Sequence, residues 1–476
     1  MKKDFYIDRR PLWTLFLLEY KNAFLMLFSF MIFFYFIFNK DIPDGMSIQA
    51  YQAMVIFFFA NFLWITNIIP LAITSLMVMG LLSTFNVLEG EKIYSFFGNK
   101  ALFFIIGAFM ISAGISASGL NKRIAYFVLS KFGDKPYRLV LSIFFLAAFL
   151  SHVMPEHAVA AMLFPILVSI TKRLELSYDS ILGKYMFFAL AWGSVLGGVV
   201  TFLGGARNPL AIGILEQTTG QSIGFLEWMI AVAPPVYLIM LFTAIYLKKK
   251  VDLSSRDTEV LREMFLDNRQ RMNKIQFREI KALLILIGTI YMWIFQGDRF
   301  GISNIALISA ALFFVLNVVS WEDARREINW GAILMYGGAI AMGKALEETG
   351  LLNFISERYI SGIPFTPLIF MIAVFTMSVF LTEGVSNAAV VVILLPVVIK
   401  VAAVLGLPSK LAVYLVALPS GLAFMFPMSS PPNAIAFSSG YIKAREALRI
   451  GFVLNILSII IIIAAAAFYW PILGIY

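Results

Sequence analysis

The sequence predicts an all-α polytopic membrane protein with 11 transmembrane spans and two re-entrant hairpins, arranged as an inverted-topology repeat. Three observations support this fold class: the apolar composition, the placement of the basic residues and an internal repeat. Of the 476 residues, 61% are hydrophobic and 14% are charged, and the mean hydropathy is +0.87. A soluble domain carries about 25% charged residues, so this chain is too apolar to fold in water.

The chain contains no cysteine. This excludes disulfide frameworks, thiolate metal sites and cysteine nucleophiles. The formal net charge of +9 does not indicate a nucleic-acid partner, because the basic residues lie in groups between apolar runs. We therefore expect the lipid bilayer as the environment, no nucleic acid as a partner, and no cofactor or metal.

Lys and Arg are concentrated in alternate polar segments, and six groups hold 28 of the 37 basic residues. Cytoplasmic loops carry the Lys/Arg excess in membrane proteins, so these groups are predicted to lie inside the cell, with the amino terminus. The groups fall within residues 2–21, 122–138, 172–184, 248–281, 325–326 and 443–449.

At roughly 20 residues per span, the apolar runs between these groups give 11 spans. This number places the carboxyl terminus outside the cell and the chain in the cytoplasmic membrane. The predicted spans are 22–39, 49–68, 70–88, 101–120, 185–215, 226–247, 279–296, 302–320, 330–349, 411–437 and 450–474.

Two apolar stretches do not fit as spans, because both ends of each should lie on one side of the membrane. The first, 139–175, has a polar centre at 151–157, and the second, 363–400, has one at 382–387. A re-entrant hairpin of two half-helices with its tip at mid-membrane accounts for both. Such a broken backbone is tolerated only inside protein or beside a water-filled cavity.

The two hairpins belong to an internal repeat. Pro165 and Pro396 close matching apolar segments, and further along the chain Asn208 matches Asn433. The predicted topology places the hairpins on opposite sides of the membrane, so the repeat is inverted. Many secondary transporters are built in this way, with the binding site at the midplane where broken helices meet. Helix N-termini at such a site favour an anion.

Residues 64–74 read Trp-Ile-Thr-Asn-Ile-Ile-Pro-Leu-Ala-Ile-Thr. They resemble the signature W-x-T-E-A-I-P-L-A-x-T of the divalent anion:sodium symporter (DASS, INDY-type) family of dicarboxylate, tricarboxylate and sulfate carriers. The hairpin tips fall where this family has Ser-Asn-Thr, and Pro-Pro-Asn at 431–433 matches its Thr-Pro-Pro-Asn. The resemblance implies a homodimer formed through a scaffold domain, and a transport domain that moves by an elevator mechanism.

The implied organisation alternates scaffold and transport parts. It comprises a cytoplasmic amino terminus (1–21), scaffold spans 1–4 (22–138), a first transport half with a hairpin, broken span 5 and span 6 (139–250), a cytoplasmic linker (251–278), scaffold spans 7–9 (279–362) and a second transport half with a hairpin, broken span 10 and span 11 (363–476).

The first hairpin tip departs from the family pattern. Residues 155–157 read Pro-Glu-His, and Arg207 replaces a proline of the first Thr-Pro-Pro-Asn. The hydroxyl and amide groups that bind sodium in the family are absent, so we expect the first sodium site to be lost. A fixed guanidinium or imidazolium lowers the cost of burying substrate carboxylates, as a bound cation does. We therefore expect Arg207 and His157 to replace this sodium ion, with Glu156 orienting one of them.

The second tip retains more of the pattern. Ser386 and Asn387 are present, Ala388 stands for the family's Thr, and Ser430 keeps a hydroxyl in the second loop. Ser386, Asn387 and Ser430 therefore form a possible residual sodium site. The amide of Asn387 is also expected to donate to a substrate carboxylate.

The resemblance and its departures together predict a transporter of C4–C5 dicarboxylates such as succinate, malate, fumarate or 2-oxoglutarate, and not an enzyme. A built-in charge leaves the empty carrier with no co-substrate to release, which favours sodium-independent exchange. The alternative is sodium- or proton-coupled symport, with His157 or Glu156 carrying the proton. The predicted substrate-binding residues are Glu156, His157, Arg207, Asn208, Ser386, Asn387, Ser430 and Asn433.

Other interpretations of the same residues remain open. Glu156, His157 and Arg207 also fit a buried ion-pair network that only holds the first hairpin tip to span 5. Segment 152–157 resembles a zinc-protease motif, but its spacing is H-x-x-x-E-H and Pro155 would break the helix that presents the ligands. Two hairpins around one site suit alternating access better than a channel.

Overall fold

The computed structural model describes residues 20–39, 41–251, 274–355, 357–358 and 366–476. Within these residues, nine helical segments of 18 or more residues are long and apolar enough to cross a membrane. The predicted all-α membrane fold is confirmed. Most of the predicted amino-terminal segment and linker, and the first residues of the second hairpin, lie outside the described residues.

The predicted scaffold regions form two groups of helices. The first group is α1 (Lys21–Phe38), α2 (Ile48–Thr66), α3 (Leu71–Thr84), α4 (Gly90–Ser95), α5 (Lys100–Ser118) and α6 (Leu120–Phe132). The second group is α12 (Phe277–Phe300), α13 (Ile302–Val315), α14 (Trp321–Glu327), α15 (Trp330–Glu348) and α16 (Leu351–Ile355).

The predicted transport regions contain the hairpins and the broken helices. The first half is α7 (Pro136–Ser151), α8 (Glu156–Arg173), α9 (Ile181–Val200), α10 (Arg207–Thr219) and α11 (Phe225–Lys250). The second half is α17 (Pro367–Gly384), α18 (Asn387–Val404), α19 (Ser409–Ala417), α20 (Pro431–Phe437) and α21 (Ala444–Ala464). Residues 201–206 form the first break, and residues 422–430, after a 3-10 turn at Pro419–Gly421, form the second break.

Both hairpins have the predicted helix–tip–helix design, although their arms are longer than half-helices. Three of the four arms have 18 residues and α7 has 16. At 1.5 Å per residue, an arm of 18 residues spans roughly 27 Å. Pro136 and Pro367 start the first arms, where a missing N–H group costs nothing.

The offset that separates Pro165 from Pro396 recurs throughout the structure. The starts of α3 and α13, of α7 and α17, and of α8 and α18 are related by this same offset. Asn86 and Asn317, which follow α3 and α13, share a left-handed φ of 53°. Close helix contacts also recur: a Cβ on Gly107 would meet Ala306 at 2.8 Å, and one on Gly338 would meet Ser75 at 2.5 Å. The internal repeat thus extends over scaffold and transport parts alike.

The two hairpins open toward opposite ends of α21, as an inverted repeat requires. Near the start of α21, Lys443 pairs with Asp179, which follows the first hairpin, at 2.7 Å. At the other end, Trp470 donates to the carbonyl of Ala231 in α11 at 3.1 Å. Lys410, which follows the second hairpin, pairs with Glu227 at the start of α11 at 2.8 Å.

Some local structure differs from the sequence prediction. Spans 3 and 8 were predicted at 70–88 and 302–320, but α3 and α13 have only 14 residues each. Turns with a left-handed Asn stop both helices early. The short helices α4, α6 and α14 were not predicted, because they lie in polar segments without a long apolar run.

Candidate functional site

A central cavity of about 850 Å³ lies where the hairpin tips, the two breaks and helices of the predicted scaffold meet. The predicted scaffold contributes the start of α3, the middle of α5 and the start of α15. Six of the eight predicted substrate-binding residues line the cavity. They are Glu156, His157, Arg207, Ser386, Asn387 and Ser430.

Four helices of the predicted transport regions begin at the cavity. α8 begins at Glu156, α10 at Arg207, α18 at Asn387 and α20 at Pro431, and all four residues line the cavity. A helix N-terminus carries a partial charge of about +0.5 and N–H groups without helical partners. The electrostatics of the cavity therefore favour an anion.

Arg207 and Glu156 form a buried ion pair in the cavity wall. Arg207 Nη1 lies 3.1 Å from Glu156 Oε1, and the two side chains are 3% and 7% exposed. The backbone N–H of Glu156 also donates to the carbonyl of Gly204 at 2.9 Å. The first tip is thus fastened to the first break by an ion pair and a backbone hydrogen bond, and Glu156 orients Arg207.

The guanidinium of Arg207 lies against the backbone of the first break and of the 3-10 turn that precedes the second break. A Cβ added to Gly205 or to Gly421 would clash with the guanidinium. Among the described residues, Nε and Nη2 of Arg207 and Oε2 of Glu156 are buried without a hydrogen-bond partner. Arg207 therefore connects the two halves of the repeat and keeps donor groups that are not used within the protein.

Asn208 and Asn433 brace the two breaks and lie behind the cavity wall. Asn208 Nδ2 donates to three carbonyls beside the first break, those of Gly198, Val199 and Thr201, at 3.3, 3.2 and 2.7 Å. Asn433 Nδ2 donates to the carbonyls of Ala423 and Phe426 and to Ser429 Oγ, at 3.0, 3.3 and 2.8 Å. Both were predicted to bind substrate, but their amide nitrogens satisfy the unwound backbone, which would otherwise be left unpaired.

Asn387 fastens the second tip to the second break. In the amide orientation that satisfies both of its polar atoms, its nitrogen donates to the carbonyls of Ser429 and Ser420 at 2.8 and 3.1 Å. Ser386 accepts from the N–H of Ala389 and so caps α18, while Ser430 caps α20. The residues of the possible residual sodium site thus lie in the cavity wall, and the amide nitrogen of Asn387 bonds to the protein rather than pointing freely at a substrate.

The two histidines have different surroundings. His157 lines the cavity, with its ring centroid 6.5 Å from that of Phe109. His152 is held by the carbonyl of Ala148 at 2.6 Å and by the Tyr237 hydroxyl at 3.0 Å. Within the described ranges, no group of three or more His, Cys, Asp or Glu residues is placed to hold a metal ion.

Two residues at or beside the cavity were not predicted by the sequence analysis. Tyr336 of α15 lines the cavity from the scaffold side, and nothing in its apolar sequence context distinguishes it. Glu383, at the end of α17, is 2% exposed and accepts hydrogen bonds from the second break. An acidic residue in an apolar hairpin was a signal for it.

Two opposed hairpins and two broken helices around a central cavity define a secondary transporter with an inverted repeat. The chain is therefore a multi-pass membrane transport protein and not an enzyme. Residues 21–476 match the model of the sodium:sulfate symporter transmembrane region, and the chain belongs to this family, the divalent anion:sodium symporters of the sequence signature.

Comparisons with individual proteins agree with this assignment. The chain is 26% identical over 465 residues to a sodium-dependent dicarboxylate transporter, SdcS, of Staphylococcus saprophyticus, covering 91% of this chain and 89% of the relative. It is 27% identical over 459 residues to SdcS of Staphylococcus aureus, covering 90% and 88%.

Two solved transporter structures share the fold at low sequence identity. Alcanivorax borkumensis YdaH aligns with a TM-score of 0.51 and 14% identity, over 82% of this chain and 90% of its own. Neisseria gonorrhoeae MtrF aligns with a TM-score of 0.56 and 12% identity, over 78% and 81%.

Proposed function

We propose that the protein exchanges C4–C5 dicarboxylates across the cytoplasmic membrane without sodium. The observation that carries the proposal is the position of Arg207. Its guanidinium is held by Glu156 between the first break and the 3-10 turn that precedes the second break, beside the tip where the family resemblance implies a sodium site. A cation that is part of the chain cannot leave with the substrate, so it cannot couple transport to an ion gradient.

The anionic substrate class is supported by the cavity itself. Four helix N-termini converge on it, and Glu156, the carboxylate among its lining side chains, is already paired with Arg207. The relatives at 26–27% identity are named as dicarboxylate transporters, which supports dicarboxylates within this class.

An elevator movement of the hairpins and broken helices is the proposed transport step. With the amino terminus in the cytoplasm, the starts of α3 and α15 face the cytoplasm, so the cavity is open inward. On the other side, Lys100 pairs with Glu216 at 3.2 Å, and Lys344 donates to the carbonyl of Gln217 at 2.9 Å. These bonds join the end of α10 to scaffold helices and must break when the transport unit moves outward. We propose a homodimer through the scaffold, as the family resemblance implies.

Sodium-coupled symport is the second candidate. The relatives are named sodium-dependent, and Ser386, Asn387 and Ser430 bring hydroxyl and amide groups to one wall of the cavity. Proton coupling through His157 or Glu156 would be a variant of the same class.

Reconstitution into proteoliposomes tests the proposal. Uptake of radiolabelled succinate should require an internal dicarboxylate and should proceed equally with external sodium or choline. Sodium-dependent net uptake into vesicles without internal substrate would refute exchange and establish symport. Net uptake driven by a pH gradient would establish proton coupling instead.

A separate experiment tests the elevator step. Because the chain has no native cysteine, a thiol reagent reacts only with the cysteines that are introduced. In the variant Lys100→Cys/Glu216→Cys, a short bifunctional thiol reagent should hold α10 against α5 and stop exchange. The single variants treated with the same reagent are the controls. Full exchange by the cross-linked protein would contradict a displacement of α10 along the scaffold.

A further inference from the structure

Glu383 lies at the end of α17, beside the second hairpin tip, and is one of the most buried acidic residues in the described chain. Its carboxylate accepts five hydrogen bonds. Oε1 accepts from the backbone N–H of Phe424 and Met425 at 2.8 and 3.1 Å, and from Asn455 Nδ2 at 2.7 Å. Oε2 accepts from the backbone N–H of Met425 and Phe426 at 3.0 and 3.2 Å.

These partners make Glu383 part of the second break. Residues 424–426 are unwound, so their N–H groups have no helical carbonyl to bond with. Within a membrane each unsatisfied N–H group is costly, and hydrogen bonds to a charged acceptor are the strong ones. A single buried carboxylate thus satisfies three successive backbone donors of the break.

The residues that follow this segment in the chain form part of the cavity wall. Residues 427–431 line it, while the carbonyls of Ala423 and Phe426 are held by Asn433. Glu383 is not among the described residues that line the cavity. It acts on the site through the backbone that it holds, which makes it a positioning residue rather than a substrate ligand.

The first half of the repeat has no equivalent. The position that corresponds to Glu383 in the first half is His152, whose carbonyl accepts from Thr201 Oγ1 at 2.6 Å. In that half the carboxylate is Glu156, which pairs with a side chain, Arg207. The clamp on backbone N–H groups is therefore specific to the second half.

We infer that Glu383 clamps the second break in the shape that forms the second half of the substrate site, so that the second hairpin, this break and α21, which carries Asn455, move as one body. Four of the five hydrogen bonds, those from residues 424–426, would be lost if the tip separated from the break. The second hairpin therefore does not open as an independent gate. The choice of substrate in the test rests on the proposed function.

The first measurement is succinate and 2-oxoglutarate exchange by Glu383→Gln, Glu383→Asp and wild type, normalised to folded protein. Gln places an NH₂ group against backbone donors, and we expect the KM to rise roughly tenfold or more, as for the loss of charge-assisted hydrogen bonds. The ratio of the KM for succinate to the KM for 2-oxoglutarate should also change, because the break sets the depth of the site. Asp keeps the charge and should recover part of the loss. An unchanged KM and substrate ratio in Glu383→Gln would overturn the inference, and if this variant does not fold, unchanged values in Glu383→Asp would do so.

A second measurement does not depend on the substrate. Met428 is 68% exposed and lines the cavity, so Met428→Cys reports the position of the break by its rate of maleimide labelling. Glu383→Gln should change this rate severalfold and leave that of Ala332→Cys, on the scaffold wall, unchanged. Equal rates at Met428→Cys would overturn the inference. Failure of wild type to carry either acid would refute the proposed substrate and leave this readout intact.

Cross-linking tests the single-body corollary. The rings of Phe380 in α17 and Phe452 in α21 lie 6.0 Å apart and are partly exposed, each three residues before a member of the clamp. Linking Phe380→Cys to Phe452→Cys with a short bis-maleimide should leave exchange at the level of the unlinked variant. Loss of exchange on linking would show that the hairpin moves against α21 and would overturn the corollary.

Discussion

Removal of the Arg207–Glu156 ion pair separates a role in transport from a purely structural one. In Arg207→Ala, the side chain of Glu156 stays buried, at 7% exposure, but the guanidinium that lies 3.1 Å from its carboxylate is gone. Leaving one member of a buried pair typically costs about 3–5 kcal/mol. We therefore expect Arg207→Ala to lower the thermal unfolding midpoint strongly, and Glu156→Ala to do the same.

The double variant Glu156→Ala/Arg207→Ala should behave differently. Both charges are removed together, so no uncompensated charge remains, and replacing a buried pair by apolar groups is often close to neutral. The first tip also keeps two other bonds to the first break, from the N–H of Glu156 and from Thr201 Oγ1. We expect most of the lost stability to return while succinate exchange stays at background.

The assay combines the unfolding midpoint, followed by tryptophan fluorescence, with exchange normalised to folded protein. Removal of the exposed pair Asp179–Lys443 by a double alanine variant is the matched control. Wild-type exchange by the folded double variant would show that the pair only holds the tip. Equal destabilisation in the single and double variants would refute the argument from buried charge.

Three further predictions concern the surroundings of the site. Asn208→Ala and Asn433→Ala should each cost about 1–3 kcal/mol of stability, because buried acceptors lose their donor, with a smaller effect on the succinate KM; a KM effect without destabilisation would return these residues to the substrate site. Gly421→Ala should abolish exchange by displacing Arg207, whereas Gly288→Ala, where a Cβ meets nothing within 4 Å, should not; equal activities would contradict the placement of the guanidinium. The hydrogen bond and charge of Lys443 lower the pKa of Asp179, so what this exposed pair contributes is present above the usual carboxyl pKa and is lost as pH falls through the lowered value. The difference in unfolding midpoint between Lys443→Ala and wild type should therefore be the same at pH 6 and at pH 8. A difference that changes over this range would contradict the assignment.

The architecture was predictable because its signals are long-range and repeated. The offset between Pro165 and Pro396 also relates helix starts, left-handed turns and the contacts of Gly107 and Gly338. Polar centres in apolar runs marked both hairpin tips and, through Arg207, the first break. These features depend on hydropathy and spacing, which a single sequence displays directly.

The partners of the polar side chains were not predictable in the same way. The sequence places Asn387 and Asn433 near the site, but it does not show that their amide nitrogens face backbone carbonyls. Asn387→Asp is consequently a poor test of substrate contact, since a carboxylate would be repelled by those carbonyls with or without a substrate. The number of orphan carbonyls and N–H groups depends on where the helices unwind, and only the structure defines this.

In each half of the site a carboxylate holds the break. The two carboxylates do not occupy equivalent positions of the repeat. Glu156 corresponds to Asn387, and Glu383 corresponds to His152. One carboxylate is held by a guanidinium and the other by backbone N–H groups, so the bonds that shape each half come from the chain itself.

An empty site with this design keeps four helix N-termini facing a cavity without an anion. Moving it past the apolar scaffold removes water from those N-termini with no charge to compensate them, whereas a bound dicarboxylate supplies that charge. The return of the empty carrier should therefore be slow relative to the return of the loaded one, which is the condition that produces exchange.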